Sequence, residues 1–142
     1  MSLSVTLDAS ALAGKLAMWR AAAVAGLKVG VADAAALVEA DAKDNAPVLT
    51  GRLRDGIHTE TVVDTEDVQQ LMITPVVAAE NKEGFDPPYA RRIEMGFVGQ
   101  DSLGRHYHQA AQPYMRPAYD NRKDDAAAAI HDGVTQALQG VA

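Results

Sequence analysis

Between Asp8 and Pro47 the chain contains no proline, and its apolar residues recur every three or four positions. Leu12, Leu16, Trp19, Ala23, Leu27, Val31, Ala35, Val38 and Ala42 fall on one stripe of a helix. Alanine is the strongest helix former and permits close helix packing, and the chain has 27 alanines. Asp8 suits an N-cap, since its carboxylate can accept from the free amides of a first turn. Pro47 ends the run, because it lacks an amide donor and restricts Ala46. The spacing predicts a helix over 8–46, roughly 55 Å long at the helical rise per residue. Gly26 and Gly30 are the positions at which such a helix kinks or splits. A helix of that length exceeds the diameter of a globule of 142 residues. Either it bends, or another subunit covers part of it.

The other elements follow from local pattern. Leu3, Val5 and Leu7 alternate as a short strand does. After a turn at Thr50-Gly51, residues 56–64 and 68–77 alternate as an antiparallel hairpin over 56–77, joined by an acidic turn. Val76 to Ala79 would extend it, and Pro75 limits it. Residues 80–88 hold Asn81, Gly84, Pro87 and Pro88 and read as loop. Tyr89 to Met95 reads as a short helix, with a short strand as the competing reading, and 96–112 as a long exposed loop. Pro117 fits the first turn of a final helix over 117–139, with Tyr119, Ala126, Ile130, Val134, Leu138 and Val141 as its apolar stripe. The fold class expected is α+β: one small antiparallel sheet packed against a long N-terminal helix and a C-terminal helix, in a single domain over 1–142.

Composition narrows function. Apolar types make up 48% and charged types 23%, a globular balance. Cysteine is absent, which removes disulfides, thiolate metal sites and cysteine nucleophiles. The net charge of −6 argues against a chain whose main task is gripping phosphate backbones. Uncharged runs are too short for a membrane span, and MSLSVTLD lacks the basic and apolar regions of a signal peptide. No hydrolase, phosphate-loop or metalloprotease motif is present, so neither an enzyme nor a cofactor is expected.

Two sets of side chains remain. His106-Tyr107-His108 alternates as a metal-binding strand can, but a third ligand such as Asp101, His58 or Glu94 would have to join it; a solvated loop is the simpler reading. Arg52 and Arg54, with the pair Arg91-Arg92, could contact nucleic acid if all four converged on an acid-free surface. In so acidic a chain, ion pairs within or between subunits are the simpler expectation. Glu94 stands at helical spacing from Arg91, so a local pair is expected there.

Three segments carry a resemblance. They are Ala46-Pro47-Val48-Leu49-Thr50-Gly51-Arg52-Leu53-Arg54 followed by Ile57, Tyr89-Ala90-Arg91-Arg92-Ile93-Glu94-Met95-Gly96, and Gln112-Pro113-Tyr114-Met115-Arg116-Pro117-Ala118. In this order they resemble the small tailed-phage neck and tail-component proteins typified by gene product ten of a lambdoid siphophage. Members of that family show A-P-x-x-T-G-x-L-R-x-S-I, Y-A-x-x-x-E-x-G and Q-P-F-x-R-P-A. Here Asp55-Gly56 replaces the pair before Ile57, and Tyr114 stands where Phe is common.

The resemblance implies a structural virion protein, made in the host cytoplasm and acting in head–tail joining or tail completion. It implies a ring, six-fold by family analogy, around a channel through which DNA passes without specific binding. The partners implied are a head-closure protein and a tail terminator or tail tube, with no membrane. Pro47, Thr50, Gly51, Arg52, Leu53, Arg54, Tyr89, Glu94, Gly96, Pro113, Tyr114, Arg116 and Pro117 would then be architectural, with Tyr114 an apolar anchor. Leu103, Arg105, His106, Tyr107 and His108 would form an interface loop, with the long helix supplying the other face. The alternative is a regulatory protein that binds nucleic acid through the four arginines.

Overall fold

A computed structural model describes residues 9–66, 68–75, 89–100 and 103–141 of the chain. Its elements are α1 (Ala9–Asn45), α2 (Arg52–Gly56), β1 (Ile57–Asp64), β2 (Gln69–Pro75), α3 (Tyr89–Met95), β3 (Phe97–Gln100), β4 (His106–Gln109) and α4 (Met115–Gln139). The fold is α+β, as the patterns indicate. The strand at Leu3–Leu7, the Asp8 cap and the segment 76–88 lie outside the described residues.

α1 runs through Gly26 and Gly30 as one helix of 37 residues. These glycines are contact points with α4, not breaks. A Cβ on Gly26 would run into the Gly133 carbonyl oxygen, and one on Gly30 would meet the Ile130 Cα at 2.6 Å. Reciprocally, a Cβ on Gly133 would meet the Gly26 oxygen at 2.6 Å. Bare glycines let the two backbones touch, so the helices interlock where side chains would hold them apart. The crossing is antiparallel: Gly26 faces Gly133 and Ala137, Gly30 faces Ala129 and Ile130, and Asp41 meets Arg122.

This crossing relocates the buried stripe. The inner face of α1 is Gly26, Gly30, Ala34, Val38 and Ala42. Leu12, Leu16 and Trp19, expected on that stripe, are 56%, 54% and 49% exposed. α1 is apolar nearly all round, so periodicity alone could not choose a face, and the smallest residues chose it. In α4, Tyr119 is 59% exposed and Ala118 is fully buried in its place. By length and composition alone α1 is also apolar enough to cross a membrane. Counting uncharged runs missed this, because its charges are scattered singly among alanines. In this fold its inner face is taken up by α4.

β1 and β2 pair antiparallel from Ile57↔Pro75 to Asp64↔Gln69, with a bulge between Thr61 and Val63. This sheet is fixed to α1 by two polar ties. Lys28 pairs with Asp64, and Glu39 Oε2 accepts from Thr59 Oγ1 at 2.7 Å. Lys43 Nζ donates to the other Glu39 oxygen at 2.6 Å. These two donors hold the Glu39 carboxyl below its ordinary range.

The segment 96–112 is not a loop. It holds a second, separate two-stranded sheet, β3 with β4, registered from Phe97↔Gln109 to Gln100↔His106. Short strands of mixed polarity have too little apolar alternation to be read from sequence. Gly96 launches this hairpin at φ 76, and a Cβ there would meet the Gln109 oxygen at 2.9 Å.

Candidate functional site

The three sequence segments meet at one end of the molecule. The buried cluster is Val38, Ala42, Ala46, Leu53, Ile57, Ala90, Ile93, Tyr114 and Ala118, with Ile73 and Met115 against it. Ala46, Leu53 and Ile57 come from the first segment, Ala90 and Ile93 from the second, and Tyr114 and Ala118 from the third. After Pro47, Gly51 adopts φ 81, a left-handed conformation that favours glycine. It turns the chain into α2, whose Leu53 is 3% exposed. Thr50, Arg52 and Arg54 stay on the surface, with Arg54 at 3.9 Å from Asp44. Tyr89 opens α3.

Glu94 is the polar keystone of this junction. Its carboxylate accepts from the backbone amides of Tyr114 at 2.7 Å, Met115 at 3.0 Å and Arg116 at 3.1 Å. These are the orphan donors at the start of α4, and Pro117 has none to satisfy. A carboxylate there also opposes the positive end of the helix dipole. Glu94 is therefore an N-cap supplied from another helix, and the expected local pair with Arg91 is not what it makes. The missed signal was α4 itself: it begins with Tyr-Met-Arg-Pro and has no Ser, Thr, Asp or Asn at its N-cap. Beside it, the Gln112 amide donates to the Ile93 carbonyl at 2.8 Å.

Tyr114 is fully buried. Burial, and then the nearby Glu94 charge, push its phenol up to about 12. Among the described residues its hydroxyl has no hydrogen-bond partner. Arg116 is exposed and lies 3.8 Å from Asp120.

An acid stands within the arginine set that a nucleic-acid reader would need free of acids. Arg54 sits beside Asp44, and Arg92 stacks over Phe97 at 4.3 Å from the ring centroid. Among the described residues the histidines gather no third ligand. His106 and His108 are exposed on β4, and Asp101 lies outside the described residues. Of the other candidate ligands, Glu94 caps α4. His58 bonds the Gly56 carbonyl through Nδ1 at 2.9 Å and Glu60 through Nε2 at 2.8 Å. The Gly56 carbonyl, then Glu60, raise the His58 pKa above its ordinary value. Among the described residues, no group of three or more His, Asp or Glu is placed to hold a metal ion.

Two surfaces stand out instead. One is the projecting β3–β4 arm, with Val98 and Leu103 each 76% exposed and Tyr107 44% exposed. A groove of about 400 Å³ runs beneath it, lined by Arg92, Phe97, Gln100, Tyr107, His108 and Gln109. The other is the first part of α1, where Leu12, Leu16, Met18 and Trp19 are all about half exposed.

A family model described as "Bacteriophage HK97-gp10, putative tail-component" matches residues 13–96. No curated protein and no solved structure matches the chain.

Proposed function

Since the chain belongs to the HK97 gp10-like family of bacteriophage tail components, we propose that it acts in head–tail joining or tail completion, as one subunit of a ring around the DNA channel. The observation that carries this reading is the junction. Side chains from all three family-like segments are used to set the angle between α1, α3 and α4, and the two surfaces left over are apolar and far apart in the fold. That suits a part whose product is a shape. A ring needs two different faces per subunit and a rotation that closes; the β3–β4 arm and the exposed part of α1 are the candidates. Six-fold symmetry follows the family analogy. The neighbours would be a head-closure protein on one side and a tail terminator or tail tube on the other. A net charge of −6, repeated around a ring, would let duplex DNA slide rather than adhere.

Light scattering across concentration and salt tests the ring. A discrete species of about six chains of 15.0 kDa each supports it. A tight, salt-dependent complex between the assembled protein and duplex DNA would count against a sliding channel.

A further inference from the structure

α2 has five residues, so it closes few of its own backbone bonds. Its exit is fixed all the same. The Ile57 amide donates to the Arg54 carbonyl, and the Ile57 side chain is fully buried. The Gly56 carbonyl, which belongs to the same peptide unit as that amide, is met by a side chain. His58 Nδ1 lies 2.9 Å from the Gly56 oxygen, and Nε2 of the same ring lies 2.8 Å from Glu60 Oε1. His58 and Glu60 are two residues apart on β1 and so share one side of the strand.

Both partners of this ring only accept. A carbonyl oxygen has no hydrogen to give, and neither has a carboxylate. A neutral imidazole carries one N–H, so it can satisfy one of the two and must turn a lone pair toward the other. The imidazolium carries two and satisfies both at once. The charges around the ring favour the cation. Glu60 touches it, and Glu39 faces it from α1, with the Glu39 carboxylate itself held by Thr59 and Lys43. β2 brings no ionisable side chain, and the residue opposite His58 is Thr74. On α2, Arg52 is exposed, Arg54 lies beside Asp44, and the Asp55 carboxylate lies toward Gly51.

We propose that His58 is a proton-dependent latch between α2 and β1. As imidazolium it clasps the last carbonyl of α2 and the Glu60 carboxylate of β1 together. When one proton leaves the ring for solvent, one N–H is lost and one of the two contacts opens. The other stays, so the sheet and the buried cluster persist while the exit of α2 is held less firmly. α2 carries Arg52, Leu53 and Arg54, so the first family-like segment is the part that loosens. Histidine titrates close to neutrality, and modest surroundings carry it across the physiological range. The latch does not depend on the ring reading.

Nuclear magnetic resonance of the whole chain across pH tests it. Below the His58 midpoint both ring nitrogens should carry hydrogen, and the midpoint should lie above the ordinary 6.5. The Ile57 amide shift should move with the same midpoint, because it shares a peptide unit with the Gly56 carbonyl. The Asp55 amide, which donates to the Gly51 carbonyl at 2.9 Å, should exchange about fivefold faster above the midpoint than below it, after correction for the intrinsic pH dependence. Glu60→Gln keeps an acceptor beside Nε2 and removes its charge, so the midpoint should fall while the step at Ile57 remains. His58→Gln cannot titrate and should show no step at Ile57 or Asp55. A His58 ring with a single N–H at pH below 6.5 would overturn the latch. So would a raised midpoint with no step at Ile57 or Asp55, since His58 would then be a surface cation that holds nothing.

Discussion

At the scale of single residues, one carboxylate sets the geometry of a whole helix. Glu94 holds three amides of α4 from a different helix. Glu94→Gln keeps the shape but loses the charge, and should cost roughly 1.5–3 kcal/mol in chemical denaturation. An unchanged midpoint would show that water caps α4 equally well. Tyr114 makes the opposite case, since its hydroxyl is buried with no partner among the described residues. Tyr114→Phe should therefore be neutral or stabilising by about 1 kcal/mol, and a large loss would contradict that burial. The phenol also gives an alkaline signature. Its folded pKa of about 12 lies above the ordinary 10.0, so its contribution is complete below pH 10.0 and is lost as pH rises through about 12. Phenolate absorbance should show one tyrosine of four lagging the rest, and Tyr114→Phe should abolish the lag. His58 runs lower on the scale: with its pKa raised, it favours the folded state below its ordinary 6.5, and that is lost as pH rises through the elevated value. A proton-resonance titration should show Glu60→Gln bringing it down.

At the scale of elements, the α1–α4 crossing depends on three missing side chains. Gly133→Ala would drive a Cβ to 2.6 Å from the Gly26 oxygen and 2.9 Å from the Gly30 nitrogen. Both obstacles are backbone, so the helices must separate, at a cost of about 1–3 kcal/mol. Gly14→Ala, with nothing within 4 Å, should instead stabilise α1 by about 0.5–1 kcal/mol. Thermal melts of the two variants should move in opposite directions. The contrast also shows what sequence could and could not reveal. α1, α4 and the β1–β2 pair were legible, because each is punctuated by proline, glycine or strict alternation; α3 was legible only against a competing strand, and the five-residue α2 was not read, being too short to show a period. The face of α1 was not, since an all-round apolar helix has no preferred stripe until a partner arrives. Gly26 and Gly30 looked like weaknesses because their value lies in Gly133, far along the chain. β3 and β4 are four residues each and escaped for want of pattern. Glu94 was visible as a motif letter, but its role needed the third segment beside it.

At the scale of the whole molecule, the exposed part of α1 carries the sole tryptophan, Trp19, 49% exposed. The turn after β1 lies against this helix, where Ala17, Arg20, Lys28 and Glu66 line one groove, and Trp19 stands on one of the two faces proposed for ring contacts. Trp19 emission should shift to shorter wavelength as molar mass rises. Emission that stays constant through assembly would take this end of α1 out of the interface. The antiparallel closure of α1 on α4 has a further consequence, in time rather than in space. On the ribosome, α1 is complete long before Met115–Gln139 exist to cover it. At roughly 5–20 residues per second, the glycine face of α1 waits several seconds for its counterpart. Contacts so distant along the chain also close slowly after release, because the intervening loop must be ordered before it is rewarded. Through that interval the nascent chain carries a long, bare apolar rod, and a host infected by many particles makes many such rods at once. The step most exposed to host chaperones is therefore the arrival of the last 25-residue helix, α4.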